Sequence, residues 1–282
     1  MKKCTVVGGG AMGSQIALNT AIHQYQVVVC ESDQGARNRF LNWEEEYLAG
    51  RIAKGRMTQE QVAEIKERLR ITDDLADACT DSEIVIEAIV EQREAKEKVL
   101  GEISRLVSPT ALIATNSSFM VSSLFRDAVS FPERLANLHY FMPALVMKLV
   151  EVVKGEHTSQ QTVDRLMSFA RETGKTPVLV QKECDGFIVN NVLKAIKEEA
   201  YRLVSEGVCS VADLDTAVEL GLGHPMGPYK IDDMNGLDVR YNVLKRRYEE
   251  TGVKSYGYDM IKALYQQGRL GKKTKHGFYD YE

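Results

Sequence analysis

Short apolar runs, rich in β-branched residues, alternate along the first two thirds of the chain with longer stretches whose apolar residues recur every three or four positions. Lys3 to Val7 is the first run. It is five residues long and ends at glycines, which suits a buried strand better than a helix. From Ala11 to about Gln24, Met12, Ile16, Ala17 and Ala21 fall at helical spacing, and Gln26 to Cys30 reads as a second strand that closes at Glu31. The pattern then predicts a helix from Asp33 to about Lys54, with Phe40, Trp43, Tyr47 and Ile52 as a partial apolar stripe. Thr58 and Gln61 fit a capping box that opens a further helix to about Leu69. Strands are expected at Arg70 to Thr72, Glu83 to Ala88, Leu112 to Thr115, Arg134 to Phe141, Leu149 to Val153 and Thr176 to Val180. Helices over 93–107 and 162–173 separate them. Strands alternating with helices imply an α/β domain with a largely parallel sheet.

After Asp185-Gly186 the texture changes. Phe187, Val189, Val192, Leu193, Ile196, Ala200, Leu203 and Val204 mark a long amphipathic helix, and later segments also read as helical, broken at 221–228 and 252–257. The sequence therefore predicts two domains. Residues 1–183 form a nucleotide-binding α/β domain with a helical hairpin inserted after its second strand, and residues 184–282 form an all-helical domain.

The chemistry of the first domain is concentrated in Gly8-Gly9-Gly10-Ala11-Met12-Gly13, set between a strand and a helix. Gly8 allows a tight turn, Gly10 lets the backbone approach a pyrophosphate, and Gly13 lets the helix pack close to the strand. The uncapped amides of Ala11 and Met12 then face the phosphate charge. This is the Rossmann-type arrangement. Glu31 lies eighteen residues beyond Gly13 at the tip of the second strand. A carboxylate there bonds a ribose 2′-hydroxyl and repels a 2′-phosphate, which selects NAD over NADP. The glycine fingerprint alone would also suit a flavin.

Charge and composition narrow the partners. A net charge of −4 over 282 residues argues against nucleic acid or an anionic membrane as the main partner. No apolar run approaches the roughly 20 residues that span a bilayer, and Lys2-Lys3 precedes a strand rather than a leader. Cys4, Cys30, Cys79, Cys184 and Cys209 are odd in number and form no C-x-x-C pair. They read as thiols of a cytoplasmic protein, with no disulfide or zinc framework. His23, His157, His224 and His276 have no companions at metal-ligand spacing, so no metal is expected.

Loops that follow parallel strands lie at the carboxyl edge of the sheet, where open α/β folds bind ligands. His139 ends one strand and Glu151 lies mid-way along the next, with a short connection between them. If these strands are neighbours, Glu151 can orient the imidazole through one nitrogen while the other acts as a base. A satisfied core histidine is the simpler alternative. Ser118 and Asn190 supply a hydroxyl and an amide able to bond a substrate oxygen; taken alone, they are a turn residue and a helix-surface residue.

Several stretches together resemble the L-3-hydroxyacyl-CoA dehydrogenase family, in particular its short bacterial 3-hydroxybutyryl-CoA dehydrogenases. They are the glycine turn, Ile86-Glu87-Ala88-Ile89-Val90-Glu91, Thr115-Asn116-Ser117-Ser118, His139-Tyr140-Phe141, Met147-Lys148-Leu149-Val150-Glu151-Val152-Val153, Asp185-Gly186-Phe187-Ile188-Val189-Asn190, Gly223-His224-Pro225-Met226-Gly227-Pro228, and Lys272-Lys273-Thr274 with Gly277-Phe278-Tyr279. The resemblance covers almost the whole chain. It implies that His139 is the general base and Glu151 its orienting partner, with Ser118 and Asn190 holding the C3 oxygen and thioester region of an acyl-CoA. It also implies that Ala88, Glu91, Lys96, Asn116 and Lys273 line the NAD site, that the hairpin covers the CoA moiety with Arg56 and Lys54 as its basic contacts, and that the C-terminal helices carry a homodimer interface. Three positions depart from the family pattern. Met142 stands where Asn follows the His-Phe-Phe run, Phe119 replaces the second Ser after Asn-Thr-Ser, and Ala49 replaces a hairpin Ser. Met142 and Phe119 leave the acyl group open.

The expected reaction is NAD-dependent, reversible oxidation of a short-chain (S)-3-hydroxyacyl-CoA to the 3-ketoacyl-CoA. Two other readings stay open. One is a dehydrogenase of a free 3-hydroxy acid or a bulkier acyl-CoA. The other is a catalytically weak NAD(H)-binding protein.

Overall fold

The computed structural model describes residues 2–282, which divide into two compact units between Ile188 and Val189. The first unit is built on one sheet of eight strands. In chain order they are β1 (Lys3–Val7), β2 (Gln26–Cys30), β3 (Leu69–Thr72), β4 (Ile84–Glu87), β5 (Leu112–Thr115), β6 (Leu135–Tyr140), β7 (Leu149–Val153) and β8 (Thr176–Val180). Their spatial order is β3-β2-β1-β4-β5-β6-β7-β8. The first six run parallel, β7 is antiparallel to β6, and β8 is parallel to β7. The order 3-2-1-4-5-6 is that of a doubly wound dinucleotide-binding sheet, with its switch point between β1 and β4. β4, β5 and β6 are buried along their whole length, as expected of strands covered on both faces.

Helix α1 (Ala11–Ile22) returns the chain from β1 to β2. The hairpin follows as α2 (Gln34–Ala53) and α3 (Gln59–Arg68), and the capping box read from Thr58 and Gln61 is formed in both directions. Phe40, Leu48, Val62 and Ile65 share one buried cluster with Leu18 and Ala21 of α1. The hairpin is thus anchored on the domain core through one face. Helices α4 (Leu75–Cys79), α5 (Arg93–Leu106) and α6 (Gln160–Glu172) complete the layers. The five-residue α4 is too short to show a helical period. The 3₁₀ turns at Ser122–Ala128 and Pro132–Arg134 likewise gave no periodic signal.

Residues 184–188 stay with the first unit, beyond the 183/184 boundary read from sequence. Ile188 N donates to Glu151 Oε1 at 3.0 Å, and Phe187 is buried against Val153 and Val180. The second unit consists of α7 (Val189–Ser205), α8 (Val211–Leu222), α9 (Pro228–Asn235), α10 (Leu237–Thr251) and α11 (Tyr258–Gln266), with a single 3₁₀ turn at Lys272–Thr274. Ala200, Tyr201, Leu214, Tyr229, Leu244, Tyr258 and Ile261 form its core. Its tail is pinned by buried Asp233, whose carboxylate accepts from Phe278 N at 2.8 Å, Tyr279 N at 2.9 Å and the Tyr281 hydroxyl at 2.9 Å. Among the described residues no helix is long and apolar enough to cross a membrane, and no acid, His or Cys cluster could hold a metal.

Candidate active site

The glycine turn sits at the switch point of the sheet. Gly8 has φ +108°, and a Cβ there would lie 2.5 Å from Ala88 O at the end of β4. A side chain on Gly13 would collide with the Gly8 carbonyl oxygen. A Cβ on Gly10 would meet nothing within 4 Å, so the chain is open where a phosphate must approach. Gly10 caps α1 without any side-chain acceptor, which leaves the first-turn amides available to an anion. Glu31 Oε2 accepts from Gly9 N at 2.8 Å and its Oε1 from Asp33 N at 2.9 Å. A carboxylate has about four lone-pair sites, so these two bonds orient Glu31 without exhausting it.

Two cavities of about 390 Å³ lie beside this turn. One is bounded by Gly8, Glu31, Ser32, Asp73 and Val99. The other is bounded by Gly10, Met12, Ala88, Glu91, Asn116, Ser118 and Phe119, with Ala11 and Lys96 also in its wall. A dinucleotide has two such ends, and the residues present fit NAD: an open glycine cradle, an oriented acid and a cavity to either side.

Lys96 is 1% exposed and lies between two carboxylates, with Nζ 2.7 Å from Glu87 Oε1 and 3.2 Å from Glu91 Oε2. Glu87 is fully buried and satisfied, since its other oxygen accepts from the Thr115 hydroxyl at 2.6 Å. Ser117 Oγ donates to Glu91. Burial alone would raise the Glu91 pKa, but the bonds from Ser117 and Lys96 outweigh it and hold the group below its ordinary value. The wall of the second cavity therefore carries a fixed anion.

His139 and Glu151 are directly opposite partners in the antiparallel β6–β7 pair, and opposite residues project on the same face. His139 Nδ1 lies 2.9 Å from Glu151 Oε2, and His139 Nε2 lies 3.1 Å from Ser118 Oγ. His139 is 3% exposed and Glu151 is fully buried. Facing a carboxylate, Nδ1 carries the ring proton and Nε2 the lone pair. The Phe141 and Phe187 rings flank the imidazole, with centroids 4.6 and 5.4 Å away. Asn116 Oδ1 accepts from Tyr140 N at 2.9 Å, which ties the loop after β5 to the residue after His139. The first unit thus assembles Glu151, His139, Ser118 and Asn116 at the carboxyl edge, next to the cavity that Ser118 and Asn116 share with the glycine turn.

The remaining candidates lie elsewhere. Met142 is 50% exposed, and its Sδ accepts from Gln15 Nε2 of α1 at 3.3 Å. Lys54 caps the end of α2 and Arg56 follows in the hairpin turn; both are exposed, and neither is ion-paired among the described residues. Asn190 lies in the first turn of α7, and Lys273 in the 3₁₀ turn of the second unit, 2.5 Å from Asp238 Oδ1.

Sequence reading assigned no role to Glu87, Ser117 or Asn137. All three are buried polar residues with partners on other elements, Glu87 with Lys96 and Thr115, Ser117 with Glu91, and Asn137 with Ser117, Met120 and Ser122, and no local spacing announces them. A second polar residue on the face of His139, as Asn137 is in Leu135–Tyr140, was the available signal.

Models of two domain families match the chain: the 3-hydroxyacyl-CoA dehydrogenase NAD-binding domain over residues 3–184, and the 3-hydroxyacyl-CoA dehydrogenase C-terminal domain over residues 186–281. The 3-hydroxybutyryl-CoA dehydrogenase of Clostridioides difficile is 33% identical over 280 residues, covering 99% of each chain. The crystal structure of FadB2 from M. tuberculosis superposes with a TM-score of 0.89 at 33% identity, covering 100% of this chain and 99% of the other. That of (S)-3-hydroxybutyryl-CoA dehydrogenase from Ralstonia eutropha gives 0.89 at 30% identity, with the same coverage.

Proposed function

Because this chain belongs to the 3-hydroxyacyl-CoA dehydrogenase family, we propose that His139 is the base in its oxidation of a short-chain (S)-3-hydroxyacyl-CoA to the 3-ketoacyl-CoA. The enzyme is an NAD-dependent 3-hydroxyacyl-CoA dehydrogenase. The observation that carries the residue assignment is the line from Glu151 through His139 to Ser118, with bonds of 2.9 and 3.1 Å. Bound NAD supplies the hydride acceptor for the C3 hydrogen. His139 Nε2 takes the hydroxyl proton as the C3–O bond becomes a carbonyl, and in the reverse direction returns it. Glu151 keeps the proton on Nδ1 and stabilises the imidazolium that forms. The Ser118 hydroxyl, already within reach of Nε2, holds the C3 oxygen on the base, and Asn190 is the amide that holds the thioester end. Glu31 bonds the adenosine ribose, and Gly8, Gly10 and Gly13 admit the pyrophosphate. Ala88, Glu91, Lys96, Asn116 and Lys273 border the cofactor, while Lys54 and Arg56 meet the CoA phosphates. NADH consumption with acetoacetyl-CoA tests the reading. No turnover of acetoacetyl-CoA or of any longer 3-ketoacyl-CoA would overturn it.

Phe119 and Met142 favour a second reading of the acyl group. They are 60% and 50% exposed and follow, by one and three residues, Ser118 and His139. Burying exposed apolar surface is worth about 0.8 kcal/mol per CH₂, so an acyl chain larger than acetoacetyl gains contact there. Wild type is expected to show higher kcat/KM on a medium-chain or aromatic 3-ketoacyl-CoA than on acetoacetyl-CoA. Met142→Asn should move that ratio back towards acetoacetyl-CoA, and an unchanged ratio would remove Met142 from acyl selection.

The C-terminal helices expose Val192, Leu220, Leu222 and Val243, each more than half exposed. We assign this apolar surface to a homodimer interface. Cys4, Cys30 and Cys79 are buried in the sheet unit, and we place the enzyme in the cytoplasm, where such thiols stay reduced.

A further inference from the structure

We infer that Asn137 is a positioning residue, which sets the distance between the Ser118 hydroxyl and the His139 imidazole by gripping the loop that carries Ser118. The inference rests on the roles proposed above for Ser118 and His139. Asn137 lies two residues before His139 on β6, so both side chains leave the strand on the same face. It is fully buried. Its amide nitrogen donates to Met120 O at 2.9 Å and Ser117 O at 3.4 Å, and its Oδ1 accepts from Ser122 N at 2.8 Å. These partners lie on both sides of Ser118: one residue before it, and two and four residues after.

The chemistry of the three partners dictates the residue. Two carbonyls and one N–H converge on the side chain, so it must present two donors and an acceptor in one plane. A carboxamide does this, whereas a carboxylate would set an oxygen against two carbonyl oxygens. The grip is direct, because strand β6 carries both Asn137 and the base. Residues 117–122 have no ladder of their own to hold them, as β5 ends at Thr115. The bond from Tyr140 N to Asn116 Oδ1 holds the loop to β6 before Ser118, and Asn137 holds it on both sides, so the 3.1 Å separation between Ser118 Oγ and His139 Nε2 is referred to the strand in large part through Asn137.

A double-mutant cycle on the full-length enzyme tests this, using wild type, Asn137→Ala, Ser118→Ala and the double variant. The measurements are kcat and KM for acetoacetyl-CoA or the best 3-ketoacyl-CoA, together with NADH affinity by fluorescence. Misplacing a reacting group by about 1 Å can cost on the order of a hundredfold, so Asn137→Ala is expected to lower kcat by roughly ten- to a hundredfold. KM and NADH affinity should change far less. In the Ser118→Ala background the same substitution should change kcat by less than about twofold, because groups acting through one another are not additive. Losses that multiply, or an Asn137→Ala variant with wild-type kcat, would overturn the inference and leave the reaction assignment intact. If Asn137→Ala does not fold, Asn137→Asp has nearly the same volume, retains an acceptor for Ser122 N, and is judged by the same criteria. Hydrogen exchange of Asn137→Asp provides a readout independent of turnover. The 117–122 amides should exchange faster while the β6 amides stay protected, and unchanged exchange across 117–122 would equally overturn the grip.

Discussion

Each ring nitrogen of His139 has one partner: Nδ1 meets the Glu151 carboxylate and Nε2 the Ser118 hydroxyl. Replacing the ring by a carboxamide keeps a polar side chain of similar reach but removes the group that accepts and returns a proton. General acid–base catalysis typically supplies about 10²–10⁴-fold. His139→Gln is therefore expected to lose at least two decades in kcat while its NADH affinity stays near wild type, and a chemistry-limited turnover near wild type would exclude the base role. Glu151→Gln should also lose rate, since the imidazolium loses its anion. The single oxygen of its carboxamide can accept from Ile188 N or from His139 Nδ1 but not from both, so some loss of stability accompanies it. At the proposed adenosine end of the cofactor site, Glu31 is held by two backbone amides. Losing a hydrogen bond to a charged group costs roughly 1.5–3 kcal/mol. Glu31→Ala should weaken NADH by about tenfold or more and NADPH much less. The measurement is kcat/KM for both cofactors, and a wild-type preference for NADPH would remove Glu31 from cofactor selection.

The hairpin of α2 and α3 has two faces with different duties. Phe40, Leu48, Val62 and Ile65 bury one face in the domain core, while Lys54 and Arg56 stand exposed at its turn without ion-pair partners among the described residues. Cations that balance no neighbouring acid are available to an anionic ligand. Arg56→Glu is expected to raise KM for acetoacetyl-CoA and barely alter KM for its pantetheine analogue, which lacks the nucleotide phosphates. Equal effects on both substrates would exclude a phosphate-specific role. The hairpin also shows what a sequence makes legible. Its capping box needs only residues three apart, and both of its bonds are formed. The glycine turn is local in part: the contact of Gly13 with the Gly8 carbonyl lies within one strand–helix step, whereas the space at Gly8 is also limited by Ala88 O after β4. The pairing of His139 with Glu151 needed one further condition, that two strands joined by a short connection lie side by side. Asn137 needed more: β6 beside β5, and a loop folded back across it. Lys96 between Glu87 and Glu91 needed α5 laid over β4, and no spacing in the chain encodes that placement. What stayed hidden is therefore the set of buried polar groups satisfied between separate elements rather than along one of them.

At the scale of the whole molecule the two units differ in how they treat apolar surface. The sheet unit covers its central strands on both faces, so β4 to β6 carry no exposed residue, while the edge strands β3 and β8 are partly exposed. The helical unit leaves large apolar side chains outside, with Leu220 82% and Leu222 66% exposed. Between α7 and α8 runs a groove of about 720 Å³ lined mainly by Ile196, Leu203, Leu214, Val218 and Leu222. Single exposed apolar residues need no explanation, whereas a contiguous patch marks an interface. A symmetric homodimer places the same patch against itself, which covers these helices without requiring a second kind of chain. The particle in solution should therefore have twice the chain mass of 31.6 kDa. Leu222→Glu places a charge in the patch at a position exposed enough for the single chain to fold. It should shift the particle towards the monomer at micromolar concentration, with helix content by circular dichroism unchanged. Light scattering coupled to size exclusion reads both states. A wild-type monomer at every accessible concentration would remove the dimer assignment, and a dimer unaffected by Leu222→Glu would move the interface to another face of the helices.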